Sequence, residues 1–528
     1  MMFHWLALAV LSISLKVTAA TPTWLNQVQK LDLSEKTKIY LPSDASYVNQ
    51  TIQRYTTFQA PTYKVSIKPA LAGDVQKIVK FAASHNVPFL ATGGGHGFST
   101  TLRALHGGIE IDLGFFKNIS VDPKASTMVV GGAVLNGDVI QPLYAAGKEL
   151  QTGSDACVGL VGTTLGGGVG RYNGLHGMLL DALQSVELVT ASGDLVTASK
   201  KENVDLFWGI RGAGMNFGIV VEATYLVPDL TNNGKVMNAD FLFPVNESTA
   251  VFEYFKSLEE TLPAELSLIL QVGYNINFGG TYIVVNAVYA GLMSDGLPLI
   301  QPLIDANPSM KSISVVTYNN LISSAFFGTA PKSGICTKGL NRSVYGVGIK
   351  TFHIPTFIEY FQNLQHLYSE YPAAQSSVFF IESFPKQAVV AVPNDATAYP
   401  HRGTNAHLLF NYGTTDPAIQ TKIDDFGKQA RNNFSATSGF DGLQVYVSYG
   451  HGDEGPIPLY SERNLPRLRK IKQQWDPEGL FNFNQPLGKK YRQVSRRPNM
   501  MSIVRVAESD SGLGLVPSRS SICVPSPQ

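Results

Sequence analysis

Thr92-Gly93-Gly94-Gly95-His96-Gly97-Phe98-Ser99 is the stretch on which the fold turns. It follows a strand-like run, VPFLAT, and its adjacent glycines let several backbone N–H groups converge on one anion such as a pyrophosphate. A glycine-rich turn can equally be structural, so the loop alone leaves both readings open. A second cluster, GSDACVGLVGTTLGGGVG at 153–170, again lets backbone approach something flat or charged. Neither has the G-x-G-x-x-G spacing that opens a helix in a βαβ unit. RGAGMNFG at 211–218 has an extra residue before its last glycine, and no G-K-[ST] exists. A Rossmann dinucleotide site is therefore disfavoured and a P-loop excluded.

Working outward, residues 57–228 read as one glycine-rich unit of short β runs with few helices. YKVSIKP opens it, and a helix is predicted near Asp74 to Ser84. QSVELVT, LVTAS and GIVVEATYLV close it as strands, the last after an RGAGMNFG loop. From about Pro228 the texture changes to long alternating strands such as LSLILQVGYNI, separated by helical patterns such as IPTFIEYFQNLQHLY. This predicts a second α+β domain over 229–450. A helix-like NLPRLRKIKQQW and a terminal FNFNQPL follow in 451–488, and the polar tail 489–528 is expected to be disordered.

The chain of 528 residues is 44% hydrophobic and 15% charged, with a formal net charge of +1 and no Lys/Arg-rich run. That balance argues against nucleic acid as a partner and for a small molecule. Residues 1–20 place an apolar run before small residues, the pattern of a cleaved signal peptide; after cleavage no membrane contact is expected, and the chain should be a secreted monomer. Sequons at Asn49, Asn118, Asn246, Asn341 and Asn433 fit a glycosylating pathway. With only Cys157, Cys336 and Cys523, at most one disulfide can form.

GGGHG at 93–97, GxVGxxLGGGxG from Val158 to Gly170 after its first residue, DALQSVELVTASGD at 181–194, RGAGMNFGIV at 211–220, YVSYGHGDE at 446–454 and WDPEGLFNFNQPL at 475–487 occur in this order. Together they resemble the FAD-linked oxidoreductases of the berberine-bridge-enzyme-like branch of the vanillyl-alcohol oxidase superfamily. The resemblance implies an α+β protein: a PCMH-type FAD-binding domain of two subdomains, and a substrate domain in which helices back an antiparallel sheet. Residues 451–488 would return to the FAD domain.

The resemblance also implies roles. His96 matches the histidine that carries FAD covalently. Gly93, Gly94, Gly95, Gly97, Phe98, Ser99, Gly159, Gly162, Gly168, Gly170, Ile219, Val220 and Asn484 match positions around the cofactor, which calls for no metal. Asp155 stands where many relatives place a second anchoring cysteine, so a single attachment is expected. Cys157 is then expected to be a small buried thiol. Val158 matches a position that controls oxygen access, which favours an oxidase, and Thr163 replaces a second histidine. Tyr449 matches the catalytic tyrosine that would accept a substrate proton as a hydride leaves for flavin N5, and Tyr446 would line the site. A phenol of ordinary pKa about 10 is a weak base, so a neighbouring positive charge or hydrogen bond is expected to favour the phenolate. If Tyr446-Val447-Ser448-Tyr449 is a strand, the two rings point to opposite faces unless a bulge intervenes. The implied reaction is oxidation of an alcohol or related group in a small metabolite. Rivals are a carbohydrate oxidase or a dehydrogenase of the same family, a redox-neutral cyclase, or a binding glycoprotein.

Overall fold

The computed structural model describes residues 22–329 and 334–488. The signal-peptide and tail readings lie outside the described residues.

Three sheets organise the described residues. The first runs Lys38–Tyr40, Tyr63–Lys68, Gly108–Asp112, Phe89–Thr92 in spatial order. Its last three strands are parallel, which requires a crossover, and Ala72–His85 supplies it. That helix buries Val75, Ile78, Val79 and Ala82, the i, i+3, i+4, i+7 set of one face, against Val65, Ile67, Phe89 and Ile111 of the sheet. Each fully buried Ile or Val contributes about 1.5–3 kcal/mol. At the helix start the Asp74 carboxylate accepts the Leu71 N–H at 3.2 Å, and Asn86 ends it in a left-handed conformation.

The second sheet has the order Ile119–Asp122, Thr127–Gly131, Ile219–Leu226, Leu183–Val189, Leu195–Ser199, all antiparallel. The third is a seven-stranded antiparallel sheet, Met310–Thr317, Lys235–Phe243, Gly280–Tyr289, Leu266–Asn275, Val378–Ser383, Ala406–Gly413, Arg342–Ile349. The architecture is thus α+β, with the change of sheet between Leu226 and Lys235. RGAGMNFG, expected as a loop, instead ends the helix Val204–Ala213, kinks at Gly212 (φ 128°) and continues as a 3₁₀ turn, Gly214–Asn216.

Side-chain alternation gives the third sheet two unlike faces. Leu268, Leu270, Phe379, Ile381 and Phe410 pack against Phe357, Tyr360, Phe361 and Phe434 of the helices Ile354–Glu370 and Gln420–Ala436. The opposite face, with Ile269, Gln271, Phe380, Glu382 and Leu409, looks into a cavity shared with the two glycine clusters. The C-terminal piece crosses back to the first half. The Thr101 hydroxyl donates to the Phe483 carbonyl at 2.9 Å and accepts the Gln485 N–H at 3.1 Å, while Phe481 packs edge-on against Phe89.

Candidate active site

The cavity measures about 860 Å³, within the roughly 300–1,000 Å³ range of small-molecule sites. Its floor is made by the glycine clusters, which lie back to back. A Cβ on Gly94 would stand 2.5 Å from the Gly159 nitrogen, and Gly95 has φ 75°. Gly93, Gly94, Gly95, His96, Gly97, Phe98, Ser99, Asp155, Val158, Gly159, Gly162, Thr163, Ile219, Val220 and Asn484 all line it. Gly168 and Gly170 are not among its lining residues: Gly168 gives its N–H to the Tyr446 hydroxyl, and Gly170 faces the Thr152 carbonyl, where a Cβ would come within 2.1 Å.

His96 stacks on Tyr55 with ring centroids 5.0 Å apart, and its Nε2 is buried without a hydrogen-bond partner. Burial, reinforced by Lys338, Arg54 and Arg342, lowers its pKa to about 3. The ring is therefore neutral and keeps the lone pair that bonding to carbon requires. A glycine cradle, an orphaned buried nitrogen and a cavity of this size fit a flavin dinucleotide held along 93–99.

Cys157 is not a buried thiol. It is half-exposed and forms a disulfide with Cys336, 179 residues away. Nothing in the spacing of three cysteines reveals that pairing. The bond also leaves Cys157 without the free sulfur a flavin attachment would need. Lys338, two residues beyond Cys336, donates to the Gly94 carbonyl at 2.7 Å.

Tyr446-Val447-Ser448-Tyr449 is not a strand. Tyr446 precedes a 3₁₀ turn, Val447–Tyr449, and residues i and i+3 eclipse in that geometry. Both rings therefore reach one site, with centroids 4.9 Å apart and no bulge. In place of the positive charge or phenolate-favouring hydrogen bond expected at Tyr449 stands a carboxylate: its hydroxyl donates to Glu382 Oε2 at 2.6 Å. Burial first, then Glu382, hold Tyr449 well above the usual phenol value, so the hydroxyl stays protonated. Glu382 itself is pushed up to about 7, by burial against the Tyr449 hydrogen bond that lowers it, with Asp155 raising and Arg171 lowering it further. Asp155, raised to about 6 by burial and opposed by Arg171, faces the same cavity. Arg171 is buried near Asp240, Asp155 and Glu382, with Nε and Nη1 unpartnered.

Glu382 is the site residue that motif reading missed. Its signal was a carboxylate at the end of an apolar strand, Val378-Phe379-Phe380-Ile381-Glu382, on the face shared with Val378 and Phe380. Pairing sets it opposite Ile269 on one side and His407 on the other.

Comparison with known proteins accords with this geometry. An FAD binding domain model matches residues 63–199 and a berberine and berberine-like model matches residues 445–488. FAD-linked oxidoreductase azaL of Aspergillus niger is 42% identical over 475 residues, 89% of this chain and 100% of that protein. The chain belongs to the berberine-bridge-enzyme-like FAD-linked oxidoreductases. Among solved structures, BBE-like 1 of Physcomitrella patens superposes with a TM-score of 0.77 at 21% identity, covering 89% of this chain and 100% of its own. Glucooligosaccharide oxidase of Acremonium strictum, described with a 6-S-cysteinyl, 8α-N1-histidyl FAD, gives 0.72 at 20% identity, covering 84% and 95%. This oxidoreductase shares their PCMH-type α+β fold. Among its described residues no helix is long and apolar enough to cross a membrane.

Proposed function

We propose that this oxidoreductase carries FAD on His96 alone and oxidises a small organic alcohol or related compound, with oxygen as electron acceptor. The observation that carries the reading is the Tyr449–Glu382 hydrogen bond, 2.6 Å long, in the cavity that His96 also lines. FAD held along residues 93–99 would supply the two-electron acceptor, and passing those electrons to oxygen would give hydrogen peroxide.

The proton belongs to the chain's own residues. A substrate hydroxyl docked against Tyr449 Oη meets an oxygen whose hydrogen already points at Glu382. As the substrate proton moves onto Tyr449 Oη, the tyrosine proton moves to Glu382 Oε2. Tyr449 is thus the contact group and Glu382 the proton holder, and with a pKa near 7 the carboxylate is suited to that task at neutral pH. Tyr446 fixes the turn through Gly168 and lines the site.

Single attachment is supported by Asp155 at the alternative anchor position and by the engagement of Cys157 with Cys336. Passage through a secretory pathway is supported by that disulfide and by the sequons, since Asn49, Asn118, Asn246 and Asn433 are exposed. Asn341 is half-buried and donates to Gln420 at 2.9 Å, so it is the least accessible of the five.

The test is direct. Acid-precipitated wild type should pellet yellow, His96→Ala should pellet colourless, and mixing holoenzyme with candidate alcohols should release peroxide. A colourless wild-type pellet rejects the covalent bond; turnover without flavin bleaching or peroxide rejects the oxidase.

A further inference from the structure

The wall opposite the glycine floor holds an arrangement that the proton chemistry does not use. Phe326 and Phe327 have φ of 56° and 57°, and among the described residues they are the only apolar side chains in the left-handed region. The other nine non-glycine residues there are Asn, Gln or Ser, which include the types that tolerate it best. Two successive aromatic residues do not stay in that conformation without an external hold.

The hold is one carboxylate. Asp240 Oδ1 accepts the Phe326 N–H at 2.8 Å, and Oδ2 accepts the Phe327 N–H at 3.0 Å. Asn286 donates to Oδ1 at 2.6 Å and Asn238 to Oδ2 at 3.0 Å, while Asn286 also donates to Asn238. All three side chains are almost fully buried, and Asp240 lies directly opposite Asn286 in the sheet. A fully buried carboxylate bound by four N–H donors is a rigid clamp, and its output is the placement of two rings that are only half-buried and line the cavity.

Phe326 packs against the cluster that holds Ile269 and Phe380, and Leu242, Val284 and Met310 line the same cavity. Gln271 and Tyr282, which line the same cavity, are engaged with one another, Gln271 donating to the Tyr282 hydroxyl at 2.7 Å. A ligand carrying many hydroxyls would bury them against this surface without partners. A flat ring system would meet two aromatic faces and aliphatic side chains.

We infer that Asp240 is a positioning residue that fixes Phe326 and Phe327 as the specificity-determining wall, and that the substrate is a flat, largely apolar ring compound with one reacting hydroxyl rather than an oligosaccharide. The inference rests on the Tyr449–Glu382 pair being the reacting end of the cavity.

Binding to the holoenzyme tests it through perturbation of the flavin absorption spectrum, with 2-naphthalenemethanol and cellobiose as probes. The aromatic alcohol should give a saturable change in wild type and cellobiose should bind more weakly. In the double variant Phe326→Gly/Phe327→Gly, glycine accepts the same backbone angles while both rings are lost, so the turn survives the test. Its Kd for 2-naphthalenemethanol should rise at least about tenfold, and if the probe is oxidised KM should rise while kcat holds within about twofold. Asp240→Asn, which turns amide hydrogens toward backbone N–H groups, should weaken the same probe wherever it folds. An unchanged Kd in the glycine variant, tighter binding of cellobiose, or no saturable change with the aromatic alcohol overturns the inference. Glu382→Gln should bind the probe as wild type does while bleaching the flavin at least about 10²-fold more slowly. If wild type binds selectively but no bound alcohol reduces the flavin, the proton-transfer reading fails while the wall stands.

Discussion

Glu382 sits where two opposing effects meet, burial that disfavours its charge and a tyrosine hydroxyl that favours it, and the balance near 7 makes it the residue most open to experiment. If it receives the proton, kcat/KM should rise as pH climbs through about 7 and level off once the carboxylate is formed. Glu382→Gln should flatten that limb and lower kcat/KM by about 10²–10⁴. Stability should move the other way. The folded-state value is raised from its ordinary 4.5, so the group's favourable share is complete below about 4.5 and lost as pH rises through about 7. The Gln variant stays neutral, and its Tm relative to wild type should increase across that interval by the equivalent of roughly a kcal/mol or more. A gap in Tm that is constant with pH would contradict the raised value. Tyr449→Phe should keep flavin and fold but lose most turnover, by about 10²-fold or more, as stopped-flow bleaching can show.

Elements differ in how far sequence predicted them, and the reason is where their determinants lie. The helix Ala72–His85 carries its instruction locally, as a 3.6-residue apolar period with Asp74 in the first turn, and prediction met it to within two residues at either end. The glycine floor was legible only through the ordered set of motifs, since GGGHG alone fits a phosphate nest and a structural turn equally. Tyr446–Tyr449 misled because a short aromatic and β-branched run has strand propensity, whereas its actual turn is set by contacts with Gly168 and Glu382, 278 and 67 residues away. The Cys157–Cys336 link is likewise non-local, and three cysteines permit three pairings. At this scale the expectation is that Cys336→Ser, which removes a bridge between positions 179 residues apart, lowers unfolding free energy by about 2–5 kcal/mol, measurable by denaturant titration with and without reductant. Wild type in reductant should converge on the variant.

For the molecule as a whole, the two halves drawn from the sequence do not pack as separate bodies. One core runs from Met128 and Val130 through Val236, Val288 and Tyr318 to Leu468 and Leu487. Asp181, from the first half, takes a bidentate pair from Arg402 of the second at 2.7 and 2.9 Å, both side chains at most 10% exposed. Arg402→Ala should therefore destabilise the entire protein by about 3–5 kcal/mol, with a single cooperative transition in calorimetry rather than two. Two resolved transitions would contradict a single shared core. The return of Phe483 and Gln485 to Thr101 also has a consequence for biosynthesis. About 390 residues separate His96 from that closing segment, so a ribosome adding roughly 5–20 residues per second emits His96 some 20–80 s before the far side of its pocket exists. Through that interval the nascent chain offers only half a cradle, and cofactor capture is expected to await the closing segment.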